Sequence, residues 1–198
     1  MDYKKLLLVA VVIFGCSNTL PRFGTGGRYE EGRDQFLRGR GGDMDKAIVA
    51  FEAVVTVDPT YKDSLTYLGR AYYRKQRYQD AFAILQRALA VNPDNEIAWI
   101  SLGMTQLQLG QNEKGIETLK SGITLASKVM VEGYHNYDKW DIRRTIQASI
   151  RRSAFLLISD SQAKDKILQS LSQLLAQVDD EENFQKNTHV QNVAPLYR

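Results

Sequence analysis

The chain of 198 residues contains one cysteine, two histidines and four prolines. A single thiol offers no intramolecular disulfide and no second sulfur for a metal site. The two histidines, His135 and His189, stand far apart with no ligand spacing around either, so neither a metal centre nor a cofactor is expected. Charge of neither sign is in large excess, since 26 Lys and Arg face 23 Asp and Glu for a net charge of +3. That balance lacks the dense basic stripe that phosphate recognition requires, and no nucleic acid is expected as a partner. Strand-like alternation is missing too: apolar residues recur with helical period, and most glycines and prolines fall between those segments. With 43% hydrophobic and 25% charged residues the chain can bury a core, and it should fold as an all-α domain.

The N-terminus reads as something other than that domain. Lys4 and Lys5 precede an apolar run at 6–14, a signal-peptide layout, and the run is about half the ~20 residues that a membrane-spanning helix needs. It ends in Ile13-Phe14-Gly15-Cys16, which resembles the bacterial lipobox. The resemblance implies that residues 1–15 are a lipoprotein signal peptide and that Cys16 becomes a lipid-bearing, palmitate-type N-terminus. It further implies a periplasm-facing protein of the bacterial cell envelope, with Ser17 favouring the outer membrane over the inner. Residues 16–27, with Pro21 and no apolar periodicity, read as a lipidated flexible linker. Gly24-Thr25-Gly26 lacks the third glycine and the preceding strand of a phosphate loop. Arg38-Gly39-Arg40-Gly41-Gly42 echoes an arginine–glycine RNA-binding box but occurs once, and a helix-to-helix loop accounts for it better.

A shift of 34 residues brings Leu68-Gly69 onto Leu102-Gly103, Pro59 onto Pro93, Ala47 onto Ala81 and Gly115, and Phe51 onto Leu85 and Leu119. This period and these residue types resemble the tetratricopeptide repeat (TPR), a helix-turn-helix unit. The copy at 62–95 carries the pattern most fully, with Leu65, Leu68, Gly69, Tyr72, Ala81, Leu85, Ala88 and Pro93. The copy at 96–129 has Trp99, Leu102, Gly103 and Leu119, but Gly115 and Gly122 stand where alanines are usual and Ser127 replaces the proline. Each glycine should cost about 1 kcal/mol in a helix interior, and without a proline stop the second helix should run on toward Val131. The first copy is good in its second helix, at 44–57 with Asp43 as N-cap. Its first helix, at 29–37, needs about two extra residues in the 39–42 loop to bring Phe36 into the tyrosine place. The resemblance implies a right-handed superhelical array of about three repeats over residues 28–129, with Leu68, Gly69, Tyr72, Ala81, Leu85, Ala88, Pro93, Trp99, Leu102 and Gly103 in structural roles.

An array of this kind must close its last apolar face with a cap. Residues 130–180 supply candidates: 141–158 carries Ile142, Ile146, Ile150, Ala154 and Phe155 at helical spacing, and 163–178 carries Ile167, Leu171, Leu174, Leu175 and Val178. Arg143, Arg144, Arg151 and Arg152 form a basic ridge on the first of these. Residues 181–198 turn polar and read as a frayed tail.

Ser161-Gln162-Ala163-Lys164 matches the S-x-x-K of penicillin-binding proteins, without the companion S-D-N and K-T-G motifs. A serine hydrolase-like enzyme centred on Ser161 and Lys164 is therefore the alternative reading, and capping of the last helix by Asp160 or Ser161 is the simpler one. The preferred reading is a scaffold without catalytic activity that binds other envelope proteins or peptides. Its natural site is the concave face, where Arg70, Tyr73 and Arg74 of the middle repeat meet Ile97, Ile100 and Met104 of the third. The helix bearing Ile97 is apolar on nearly every side, and such helices are buried on every side. Either the C-terminal helices fold back over it or a partner segment covers it.

Overall fold

The computed structural model describes residues 24–132 and 140–193. Among these are eight α-helices and no strand: α1 (Gly24–Leu37), α2 (Met44–Val57), α3 (Ser64–Arg74), α4 (Tyr78–Val91), α5 (Glu96–Gln108), α6 (Asn112–Glu132), α7 (Thr145–Ser159) and α8 (Lys164–Val193). The pairs α1–α2, α3–α4 and α5–α6 each pack tightly, and consecutive pairs stack on one another. The expected all-α array of three helix pairs with further helices behind it is the fold. Cys16, the apolar run and most of the expected linker lie outside the described residues, as does His135.

Within a pair, the close approach is made by a glycine. A Cβ placed on Gly69 would lie 2.5 Å from Leu85 Cγ, and one on Gly103 would lie 2.6 Å from Leu119 Cγ. The same contact recurs one repeat later because residues 34 apart occupy the same place. In the first pair Gly32 plays this part: a Cβ there would lie 3.0 Å from Phe51 Cζ. That corrects the register expected for α1. The loop holds three extra residues, not two, and they form the 3₁₀ turn Gly39–Gly41. Gln35, not Phe36, falls in the tyrosine place, while Phe36 is fully buried elsewhere, 5.2 Å edge-to-face from the ring of Tyr67.

Helix starts follow the capping chemistry. Asp43 accepts from the backbone N–H of Asp45 and Lys46 at 3.1 and 3.2 Å, and the Lys46 N–H in particular holds its carboxyl below the usual carboxylate range. Asn95 caps α5 through the N–H of Ala98 at 2.8 Å, and its amide donates to Asp63 and Thr66. Pro93 stands in the exposed turn before it, and its carbonyl accepts from the Trp99 indole at 2.7 Å.

Two apolar cores result. The first gathers Tyr29, Phe36, Phe51, Leu65, Leu68, Tyr72, Ala81, Leu85, Ala88 and Leu102, among others, and holds no residue beyond Leu102. The second joins Ile100, Met104, Leu107, Leu119 and Ile123 to Ile146, Ile150, Leu157, Ile167, Leu171 and Leu174. Each fully buried side chain of this size contributes about 1.5–3 kcal/mol.

The ends of several elements differ from expectation. Helix α1 begins at Gly24, inside the segment expected to be a linker; a Cβ on Gly26 would already touch the Tyr61 hydroxyl at 3.0 Å. By contrast α6 runs to Glu132 as expected, with Ser127 in place of a proline. Asp141 does not begin a helix but caps one, accepting from the N–H of Ile146 and Gln147 at 3.1 and 2.9 Å, so α7 starts at Thr145. Ile142 and Phe155, expected on the buried stripe, are each 68% exposed. The expected tail is not frayed through 193, because α8 continues as a helix across the preceding repeats.

Candidate functional site

The first helix of each pair, α1, α3 and α5, shares one face of the array, and α8 lies across all three. The six residues expected to receive a partner do converge here. Arg70, Tyr73, Arg74 and Met104 line a cavity of about 250 Å³ that Ser172, Leu175 and Ala176 of α8 close from one side. Ile100 and Met104, however, are only 0% and 1% exposed and belong to the second core, beneath α7 and α8. The two are seats for the cap in this arrangement, not an open surface, because an isoleucine and a methionine left facing water would forfeit the burial that α8 supplies. Ile97 is partly buried and lines the neighbouring cavity.

Polar groups decide how α8 is held. Arg70 donates through Nη2 to both carboxylate oxygens of Asp179, at 2.8 and 2.9 Å, and both side chains are almost fully enclosed. Arg74 reaches Asp179 Oδ2 from the other side at 2.5 Å and also donates to the carbonyl of Phe36. The two guanidinium groups lie over the Phe36 ring, at 4.8 and 3.9 Å. Burial works against the charge of Arg70, yet Asp179 beside it carries its pKa above the ordinary value. Burial and the neighbouring Arg70 move Arg74 the other way. One turn along α8, Glu182 accepts from Arg33 Nε at 2.7 Å and from the Tyr67 hydroxyl. Burial, with Glu182 next in weight, pushes the Tyr67 phenol well above its usual range. Lys186 then pairs with Asp34 and, at 3.1 Å, with Glu30.

Beside this zipper the groove stays partly open as a cavity of about 360 Å³, walled by Tyr29, Arg33, Lys62, Tyr67, Ile97 and Trp140. The ammonium of Lys62 stands 4.8 Å from the Tyr29 ring centroid. Residue types alone could not have revealed Arg33, Tyr67, Asp179 and Glu182 as one constellation, since they are joined across more than a hundred positions of sequence. The acid-rich stretch at 179–182 was the one available sign.

Other candidates resolve differently. Ser161 sits in the turn before α8 and Lys164 is the first residue of that helix; neither lines either cavity. Gly24-Thr25-Gly26 lies in the first turn of helix α1. Arg143, Arg144, Arg151 and Arg152 are all exposed, with Arg144 in the left-handed region at φ 55° as the residue before α7. No cluster of three metal-ligating side chains occurs among the described residues.

Helix pairs of this packing at this spacing form a TPR-like helical solenoid. Residues 41–122 match the sequence profile of the family described as anaphase-promoting complex, cyclosome, subunit 3. The chain is 29% identical to Superkiller protein 3 of Schizosaccharomyces pombe over 86 residues, 43% of this chain and 6% of that one. It is also 29% identical to the peroxisomal targeting signal receptor of Komagataella phaffii over 83 residues, 42% of this chain and 14% of the receptor. The matches thus span only a small part of either relative. Among solved structures, the TPR2B domain of yeast Sti1, determined as a complex with pHsp70, superposes with a TM-score of 0.51 at 16% identity, over 75% of this chain and 96% of that one. That likeness concerns the fold.

Proposed function

We propose that the chain is a membrane-anchored TPR scaffold that binds partner proteins in the bacterial cell envelope and performs no chemistry of its own. The observation that carries this reading is the face of α1, α3 and α5, where charged and aromatic side chains surround a cavity beside an otherwise apolar packing surface. Tyr and Arg beside apolar neighbours are the residue types that concentrate binding energy at interfaces. One relative is described as a peroxisomal targeting signal receptor, and the Sti1 TPR2B domain was determined as a complex with pHsp70, which supports the same class of function here. The anchor rests on Lys4, Lys5, the apolar run and Gly15-Cys16, which favour lipidation at Cys16 and a periplasm-facing position, on the outer membrane in preference to the inner. No helix of the described residues is long and apolar enough to cross a membrane; in this reading the lipid on Cys16 attaches the chain.

Two measurements test it. Cys16→Ser should release the protein from the membrane fraction or leave an uncleaved precursor; a wild-type protein that is soluble and begins before Cys16 sinks the anchor. Tyr73→Ala with Arg74→Ala should lower capture of envelope partners while helicity is kept, and a double variant that retains every partner of the wild type removes that end of the groove from the site.

A further inference from the structure

Helix α8 is built in two unlike halves. Up to Val178 it buries Ile167, Leu168, Leu171, Leu174, Leu175 and Val178 in the second core. Past that point polar contacts join it to the repeats: Asp179 with Arg70 and Arg74, Glu182 with Arg33 and Tyr67, Lys186 with Glu30 and Asp34. Positions 179, 182 and 186 share one helix face. The one large apolar side chain described along this stretch, Phe184, is 58% exposed. A helix end held mainly by ion pairs, with a tyrosine hydrogen bond to Glu182, is held loosely, because desolvation of each charge offsets most of the Coulomb attraction.

The receiving side is built independently of that arm. Arg33, Tyr67, Arg70, Arg74 and Phe36 stand on α1 and α3, whose core contains no residue of α8. With the arm lifted away, the guanidinium groups would keep their stacking on Phe36 and gain water, and the groove would keep its shape.

We propose that residues 179–193 are an internal stand-in for a partner, and that the groove of α1 and α3 recognises a helical protein segment bearing carboxylates at i and i+3 and a basic residue at i+7. The inference rests on the scaffold reading and supplies its partner chemistry. The two carboxylates take the places of Asp179 and Glu182, and the base that of Lys186. Because the first half of α8 tethers the arm beside its groove, the arm acts at a high effective concentration, and only a segment that matches the charge pattern displaces it.

The test uses the full chain with Asp179→Lys, Glu182→Lys and Lys186→Glu, which inverts the three charges of the arm that pair with the groove, and a labelled peptide of the wild-type sequence 176–193. Fluorescence anisotropy should show the peptide binding this variant at least about tenfold more tightly than wild type. The affinity should fall as salt rises from about 50 to 300 mM, and a peptide with Asn and Gln replacing its acids should bind about tenfold more weakly. A helical variant that binds the peptide no better than wild type, or binds the neutral peptide equally, overturns the proposal. So does a variant that dimerises and excludes the peptide, since a second copy then owns the groove. Should the variant not fold, hydrogen exchange on the wild type decides: amides at 181–190 should exchange at least about tenfold faster than those at 166–176, and equal protection overturns the proposal. Since no native partner enters these assays, their failure is separate from failure of the capture experiment.

Discussion

Gln76 and Gly110, one repeat apart, end their helices with the same left-handed turn, at φ 60° and 78°. In each case the two following N–H groups fold back in the same way: Gln76 to Tyr73 and Arg77 to Tyr72, Gly110 to Leu107 and Gln111 to Gln106. Gly39, at φ 57°, holds the corresponding place after α1. Only Gln76 carries a side chain there, and that side chain is exposed. A Cβ in this conformation costs about 1–2 kcal/mol, of which the greater freedom of an unfolded glycine returns part. Gln76→Gly should therefore stabilise the protein by about 0.5–1 kcal/mol, measured as a higher urea midpoint at unchanged slope.

Gly122 should behave in the opposite sense from its helix propensity. An alanine in mid-helix is ordinarily worth about 1 kcal/mol over glycine. Here the added Cβ would lie 2.8 Å from the backbone nitrogen of Ile100 and 3.0 Å from Trp99 Cβ, so α5 and α6 would have to part. Gly122→Ala should lose about 1–2 kcal/mol. A gain on thermal melting would show that the helices separate freely.

The phenols of Tyr29, Tyr67 and Tyr72 are all raised by burial, that of Tyr72 to about 12. The unfolded chain therefore gives up these protons at lower pH than the folded one. The stability they confer is complete below about pH 10 and is lost as pH climbs toward the folded values. Urea titrations at increasing pH should show stability falling above pH ~10 by up to about 1.4 kcal/mol per pH unit for each such tyrosine. Tyr67→Phe should make that slope shallower by one group.

The register of α7 gives a paired contrast. Phe155 is exposed and Ile150 is in the second core: Ile150 lies one turn on from Ile146, whereas Phe155, nine residues on, falls on the opposite face at ~100° per residue. Phe155→Ser should change stability by less than about 0.5 kcal/mol, whereas Ile150→Ala should cost about 2–4 kcal/mol. Equal effects in chemical denaturation would mean that α7 is turned differently on α6 and α8.

The parts of this architecture written in local pattern could be read without coordinates. The pairing of Gly69 with Leu85 and of Gly103 with Leu119 follows from residues that recur 34 positions apart, and the long α6 follows from the missing proline. What local pattern does not carry depends on distant contacts. Gly24-Thr25-Gly26-Gly27 has poor helix propensity and no periodicity, and it is helical beside Tyr61. The register of α1 differs from the expected one because Gln35 stands in place of the aromatic, while the buried Phe36 belongs beneath two arginines. The second half of α8 has too few apolar residues to announce a buried helix; its reasons for being there, Arg33, Arg70 and Arg74, lie over a hundred residues earlier. The same contacts show why six groove residues could be placed on one face from the repeat alone, yet not whether that face was vacant.

Helix α5 gives Ala98 and Leu102 to the first core and Ile100, Met104 and Leu107 to the second. It is a party wall, and neither room stands if it comes down. Heating or denaturant should then not peel repeats from the cap one at a time, as happens where each unit touches only its neighbours; repeats and cap should be lost in a single step. The wall also finishes the building on that side, since a fourth helix pair stacked after α6 would have to occupy the ground on which α7 and α8 already stand.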